Sequence, residues 1–148
     1  MKPLAENKRA RFDYDITDSF EVGVELLGHE VKSVKAGRMG LNGTFALIRN
    51  GQAWLLNASI PPYQQNNVPD GYDPERTRRL LLKKDEIESL AGKLKTKGTL
   101  LIPLKTYTKG KLIKLEIGIG RSRKKDDKRE YLRKREHDRE MREVKERG

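Results

Sequence analysis

The chain has 148 residues, enough for one domain and an appendage. Hydrophobic residues make up 34% and charged residues 37%, too thin an apolar supply for a core that takes in the whole length. A formal net charge of +11 points to a polyanionic partner, whether RNA, DNA or an anionic membrane surface. Cysteine is absent, which excludes disulfides, thiolate metal sites and cysteine nucleophiles. No apolar run approaches the ~18 residues of a membrane span, and MKPLAENKRARFDY offers no signal-peptide core, so the chain reads as soluble and cytoplasmic.

Taken in chain order, residues 1–7 read as a flexible N-terminus. Lys8, Arg9 and Arg11 then precede Phe12 and Tyr14, placing cations beside rings that can stack on bases. Phe20, Val22, Val24 and Leu26 alternate with Glu21, Gly23 and Glu25, the period of a half-buried strand with its two carboxylates outward. His29, between Gly28 and Glu30, reads as a solvent-facing surface histidine. A short helix is expected over Glu30 to Lys35, stopping at Gly37, and Lys32, Lys35 and Arg38 form a second basic cluster on it or just beyond.

Segments 44–49 and 52–57 flank Asn50-Gly51, a strong hairpin signal. Pro61-Pro62 through Pro74 is a long polar loop without periodicity. A strand at Arg79–Leu82 follows, within a third basic cluster of Arg76, Arg78, Arg79, Lys83 and Lys84. Asp85 and Glu88 fit a capping box for a helix whose Ile87, Leu90, Ala91 and Leu94 share one face. Leu100–Tyr107 and Leu112–Ile119 form a second hairpin around Lys109-Gly110. Its second arm turns Ile113, Leu115, Ile117 and Ile119 one way, and Pro103 in its first arm requires an edge or a bulge.

Composition changes at Gly120. From Arg121 to Gly148 there are 13 Lys or Arg and 8 Asp or Glu, with only Tyr131, Leu132, Met141 and Val144 apolar. Four such side chains do not offset a backbone ordering cost of ~1–2 kcal/mol per residue. With neither Pro nor Gly before Gly148, the segment reads as unstructured when free and helical against a polyanion, or else as a purely solubilising tail. The body, residues 8–120, is thus mainly β: six strands and two or three short helices in a small closed or nearly closed antiparallel barrel, followed by a disordered basic C-terminal tail at residues 121–148.

Catalytic chemistry is poorly supplied. The two histidines are His29 and His137, the second in the tail, and no HExxH, GxSxG, Walker or GxGxxG pattern occurs. No metal ligand set or cofactor motif stands out. Each basic cluster taken singly is compatible with a solvated charged face, but three clusters and a tail favour nucleic acid. With no helix-turn-helix, zinc finger or basic zipper, RNA is preferred, since small barrels of the OB type commonly bind it.

Four blocks then become specific: NKRARFDYDI (Asn7–Ile16), GHEVKS (Gly28–Ser33), DPERTRRLLLKKDEI (Asp73–Ile87) and DKR (Asp127–Arg129). In order and spacing they resemble the transfer-messenger-RNA-binding family, also called small protein B. The resemblance implies a non-enzymatic protein of trans-translation, an OB-type barrel that holds the tRNA-like domain of transfer-messenger RNA and brings it to stalled ribosomes. Its tail would enter the decoding centre and the empty mRNA channel of the small subunit. Elongation factor Tu, in the delivery complex, is a candidate further partner; membranes are not. Carried over by motif, Asn7, Lys8, Arg9, Glu21, Lys32, Leu81 and Lys83 would face the tRNA-like domain. Phe12 would stack near the decoding nucleotides, and Asp127, Lys128 and Arg129 would serve accommodation on the ribosome. Gly71-Tyr72-Asp73-Pro74 stands where Asn-His-Asp-Pro is usual, and Arg121-Ser122-Arg123 replaces a Gly-Lys-rich stretch. A general RNA chaperone and a ribonuclease are the rival classes.

Overall fold

Local signals in the sequence account for most of the strands. Asn50 and Gly51 both take positive φ, 53° and 70°, and join strands Phe45–Arg49 (β3) and Gln52–Leu56 (β4), whose last pair is Arg49 with Gln52. Two left-handed residues in succession are what a tight two-residue hairpin with right-handed strand twist requires. The second hairpin joins Leu100–Lys109 (β6) to Leu112–Ser122 (β7). Ile113, Leu115, Ile117 and Ile119 are all buried, as their alternation implies. Pro103 sits at a shift of register between Pro103 and Lys105, a bulge that removes the need for its missing N–H.

The computed structural model describes residues 3–64 and 68–147, so residues 65–67 of the polar loop lie outside the described residues. Besides these strands it contains Ala5–Glu6 (β1), Tyr14–Val24 (β2) and Arg78–Leu81 (β5), and the helices Ala10–Asp13 (α1), Gly28–Lys35 (α2), Lys84–Leu94 (α3) and Lys125–Arg147 (α4). All pairings are antiparallel, in the order β6-β3-β4-β5-β2-β7, and β7 pairs again with β6. β6 has β3 beside Leu101 and β1 beside Lys105 and Thr106, with the bulge between them. Val22, Leu55, Leu80, Leu115 and Ile117 fill the interior, closed over by Val34 of α2 and Leu90 of α3.

Several expectations are corrected. Residues 5–7 are tied to the sheet: Ala5 and Glu6 pair with β6, and the Asn7 backbone N–H donates to Leu104 O at 2.8 Å. β2 begins at Tyr14 rather than Phe20, because Asp15, Thr17, Asp18 and Ser19 form an exposed stretch whose polarity hides the strand. β7 runs to Ser122, past the composition break. α3 is capped two residues earlier than expected: Glu86 Oε1 accepts the Lys83 backbone N–H at 2.8 Å, so Asp85 and Glu88 are not the box. His29 does not face solvent. Its ring packs edge-on to Tyr72 with centroids 4.6 Å apart, and both ring nitrogens are buried. Lys125–Arg147 form one continuous helix in this structure. Uninterrupted helix formers allow it, and α1 and the end of β7 anchor its start.

Two glycines make β2 and β7 compatible. A Cβ on Gly120 would lie 2.2 Å from Asp15 O, and one on Gly118 would lie 2.9 Å from Ile16 Cγ2. β2 bulges between Ile16 and Asp18 against this part of β7, and its backbone approaches closely only because the side chain is missing there.

Candidate nucleic-acid interface

The N-terminal basic cluster is built where α1 meets the first turns of α4. The Phe12 ring lies 6.4 Å from that of Tyr131, tilted by 53°. Arg9 (5.1 Å) and Lys128 (5.5 Å) approach the Phe12 ring, and Arg123 stands 4.4 Å over Tyr131. Polar bonds hold the same joint. The Arg123 backbone N–H donates to Asp13 O at 2.8 Å, Arg123 Nε donates to Arg11 O at 3.1 Å, and Lys128 Nζ pairs with Asp13 Oδ1 at 3.6 Å. Asp127 Oδ2 accepts the Lys124 N–H at 3.3 Å, closing the start of α4. Of the residues matched to the decoding centre, Phe12 and Lys128 therefore meet in one anchor, Asp127 caps the start of α4, and Arg129 is exposed on α4. Tyr131 and Arg123 complete the anchor, and nothing in their local sequence marks them.

A second surface lies on the outer face of the sheet. Cross-strand register aligns Glu6, Lys105, Glu116 and Glu21 in one row across β1, β6, β7 and β2. The next row runs Leu81, Gly23, Lys114, Tyr107 across β5, β2, β7 and β6. Gly23 lets Leu81 lie flat on the sheet, since a Cβ there would be 3.3 Å from Leu81 Cδ1; Leu81 remains 48% exposed. The Tyr107 hydroxyl donates to Glu21 Oε2, and Lys109 Nζ donates to Glu21 Oε1 at 3.3 Å. The Tyr107 bond, assisted by Lys109 against a desolvation penalty, holds the Glu21 carboxyl below the usual carboxylate range. Burial and the adjacent carboxylate push the Tyr107 hydroxyl up to about 12.

The structure thus unites Glu21 and Leu81, with Lys83 exposed two residues on at the cap of α3. Lys8 and Arg9 are exposed beside α1. Asn7 is turned to the fold, its Nδ2 donating to Pro103 O at 3.1 Å. Lys32 stands exposed on α2, not on the sheet face. Sequence reading missed Tyr107, Lys105, Lys109 and Lys114. Strand alternation could have found Tyr107, since Thr106 and Leu104 beside it point inward.

The third basic cluster is divided, two of its five cations being turned to the fold. Arg78 is fully buried and donates through Nε (2.9 Å) and Nη2 (2.6 Å) to Glu30 Oε2. Arg76 Nε donates to Glu30 Oε2 at 3.0 Å, and the Leu27 N–H donates to Oε1 at 2.8 Å. The Tyr72 hydroxyl donates to Glu30 Oε2 at 2.9 Å and accepts from Arg78 Nη2 at 3.1 Å. Arg78 also donates to Ala58 O and Pro74 O, so the network ties α2 to both ends of the polar loop. Burial alone would raise the Glu30 pKa, but the bonds from Arg76, Leu27 and Arg78 outweigh it and bring it to about 2. Tyr72, the departure from the usual loop motif, is a structural part of this network. Only Arg79, Lys83 and Lys84 of the cluster remain exposed.

Taken together, these features define a small antiparallel β protein with a mixed-charge outer face, a cation–aromatic joint and one long basic helix. The family described as "SmpB protein" matches residues 4–147. The SsrA-binding protein of Synechococcus elongatus is 48% identical over 141 residues, covering 95% of this chain and 92% of its own length. That of Streptococcus equi subsp. equi is 50% identical over 141 residues, with 95% and 90% covered. A chain of the solved structure described as "tmRNA-SmpB: a journey to the center of the bacterial ribosome" superposes with a TM-score of 0.66 at 40% identity, covering 86% of this chain and 93% of that one. The chain belongs to the SmpB family.

Proposed function

We propose that this chain binds transfer-messenger RNA and serves trans-translation on stalled ribosomes, acting by binding rather than by catalysis. The observation that carries the reading is the family match over residues 4–147, supported by relatives that are SsrA-binding proteins and by a neighbour from a tmRNA–SmpB–ribosome structure. In this reading residues 8–120 act as an OB-type barrel, supported by strand pairings that return from β7 to β6. The outer face carrying Glu21, Leu81 and Lys83, with Lys8 and Arg9 on the α1 flank and Lys32 on α2, receives the tRNA-like domain; Asn7 supports that surface by fixing the chain to β6. Exposed cations supply phosphate neutralisation, and the Glu21 carboxylate supplies an acceptor for donor groups.

Phe12, Asp127, Lys128 and Arg129 act at the decoding centre. The distal part of α4, free of the body, occupies the mRNA channel, folding fully only against ribosomal RNA; when free, residues 121–148 exchange between helix and coil. Delivery involves elongation factor Tu, and the work is done in the cytoplasm. No helix among the described residues is long and apolar enough to cross a membrane.

Competition at fixed salt between a tRNA-like RNA and an unrelated hairpin tests the reading. The tRNA-like RNA is expected to bind more tightly by at least tenfold, about 1.4 kcal/mol. Equal affinities would favour the general RNA chaperone instead.

A further inference from the structure

In a chain of net charge +11, the outer face of β2, β7 and β6 is not uniformly basic. Glu6, Glu116 and Glu21 share a row with Lys105, and Lys109 and Lys114 lie alongside. Pro3, Glu21, Lys105, Tyr107, Lys109 and Glu116 line a shallow cavity of about 340 Å³. Carboxylates gain nothing from phosphates; against a nucleic acid they accept from ribose hydroxyls or base amino groups. Glu21 is suited to this. Its side chain is 32% exposed and, among the described residues, each oxygen has one protein partner, Tyr107 on Oε2 and Lys109 on Oε1, which leaves lone pairs on both.

We infer that Tyr107 is a positioning residue of this surface, its hydroxyl holding the Glu21 carboxylate in one orientation so that its free lone pairs meet hydrogen-bond donors of the bound RNA. A flexible glutamate would lose rotamer freedom on binding; one already held by a rigid ring has lost it beforehand. Lys109 secures the other oxygen, and Lys105 and Lys114 offset the local negative charge against approaching phosphates. The same hydrogen bond keeps the carboxyl below its usual pKa, so the acceptor stays charged into acidic solution. This inference rests on the proposed RNA-binding reading.

The test measures binding of a tRNA-like RNA and of an unrelated hairpin, from acid to neutral pH, for the wild type, Tyr107→Phe, Glu21→Ala and the double variant. Tyr107→Phe keeps the ring, so its melting temperature stays close to that of the wild type. Its affinity for the tRNA-like RNA falls on the order of tenfold, while hairpin binding is unchanged. Acidification abolishes its binding at a higher pH than in the wild type, because Glu21 protonates earlier. The double variant binds no more weakly than Glu21→Ala alone. Repeating the series on RNA with 2′-deoxy substitutions identifies the donor: a vanished Tyr107 effect assigns ribose hydroxyls, a retained one base amino groups. Additive losses, or a Tyr107→Phe variant with an unmoved pH profile, overturn the inference and leave the RNA-binding reading intact. A wild-type protein with no preference for the tRNA-like RNA overturns both.

Discussion

Glu30 and Arg78 have no exposed side-chain surface, yet both are ionised, and each owes its position to the other. Removing one member of such a pair leaves an uncompensated buried charge, which costs on the order of 3–5 kcal/mol. Glu30→Gln is therefore expected to destabilise the protein by several kcal/mol near neutral pH, read from urea unfolding. The pH dependence follows from the lowered pKa. The unfolded chain protonates Glu30 near 4.5 and the folded one near about 2, so the carboxylate's contribution is complete above the first value and lost as pH falls through the second. The stability gap between wild type and Glu30→Gln should stay constant above about pH 5 and narrow on acidification. A gap independent of pH would mean that Gln replaces the carboxylate's bonds without its charge.

Strand β2 illustrates how an element is set by its neighbour. Its first half is polar and exposed, with no apolar stripe to recommend it, and it pairs with β7 because Gly118 and Gly120 let the bulge come close. Gly120→Ala forces a methyl group onto the Asp15 carbonyl, and we expect a loss of about 1–3 kcal/mol, measured by thermal or denaturant unfolding. A neutral substitution would show that β2 can slide away at no cost.

Helix α4 is an element of the opposite kind, held at its start. Leu132, Met141 and Val144 along it are each about half exposed or more. Arg139→Pro should break the helix there at ~3 kcal/mol while leaving the body untouched. RNA binding is expected to stay normal and tagging in a reconstituted translation system to fall sharply. Normal tagging would exclude a helical requirement in the channel.

For the whole molecule, the body and the basic helix are separable in principle, because α4 is joined to the body at its first turns, where Lys128 and Tyr131 meet Phe12, Asp13 and Arg123. A chain ending at Lys124 keeps β7 whole, through Ser122 paired with Tyr14. It should fold, bind the tRNA-like RNA, and fail to support tagging; full tagging activity would refute the division of labour. With Arg76 and Arg78 committed to Glu30, the exposed cations at the proposed surface include Lys8, Arg9, Lys32, Lys83 and Lys109. Five phosphate contacts give a log–log salt slope of about −4, and a flat dependence would return these residues to the status of solvated charge.

What could be read without coordinates was what depends on near neighbours in the chain. Asn50-Gly51 makes a hairpin, β7 alternates, α3 repeats its apolar face, and the tail changes composition, each through a few adjacent residues and their backbone preferences. The family resemblance likewise marked Glu21, Leu81, Lys83 and Phe12. The partners of these residues were not legible. Glu30 meets Arg76 and Arg78 across 46 and 48 residues, and Glu21 meets Tyr107 across 86. An arginine bound for the interior looks, in sequence, like its exposed neighbour Arg79. Strand and helix periods fix which way a side chain points within its own element, but which element it then faces is set by the order of strand pairing. That order is a property of the closed set of long-range contacts, and it turned a presumed basic patch into a buried ion network and joined Phe12 to the start of the tail.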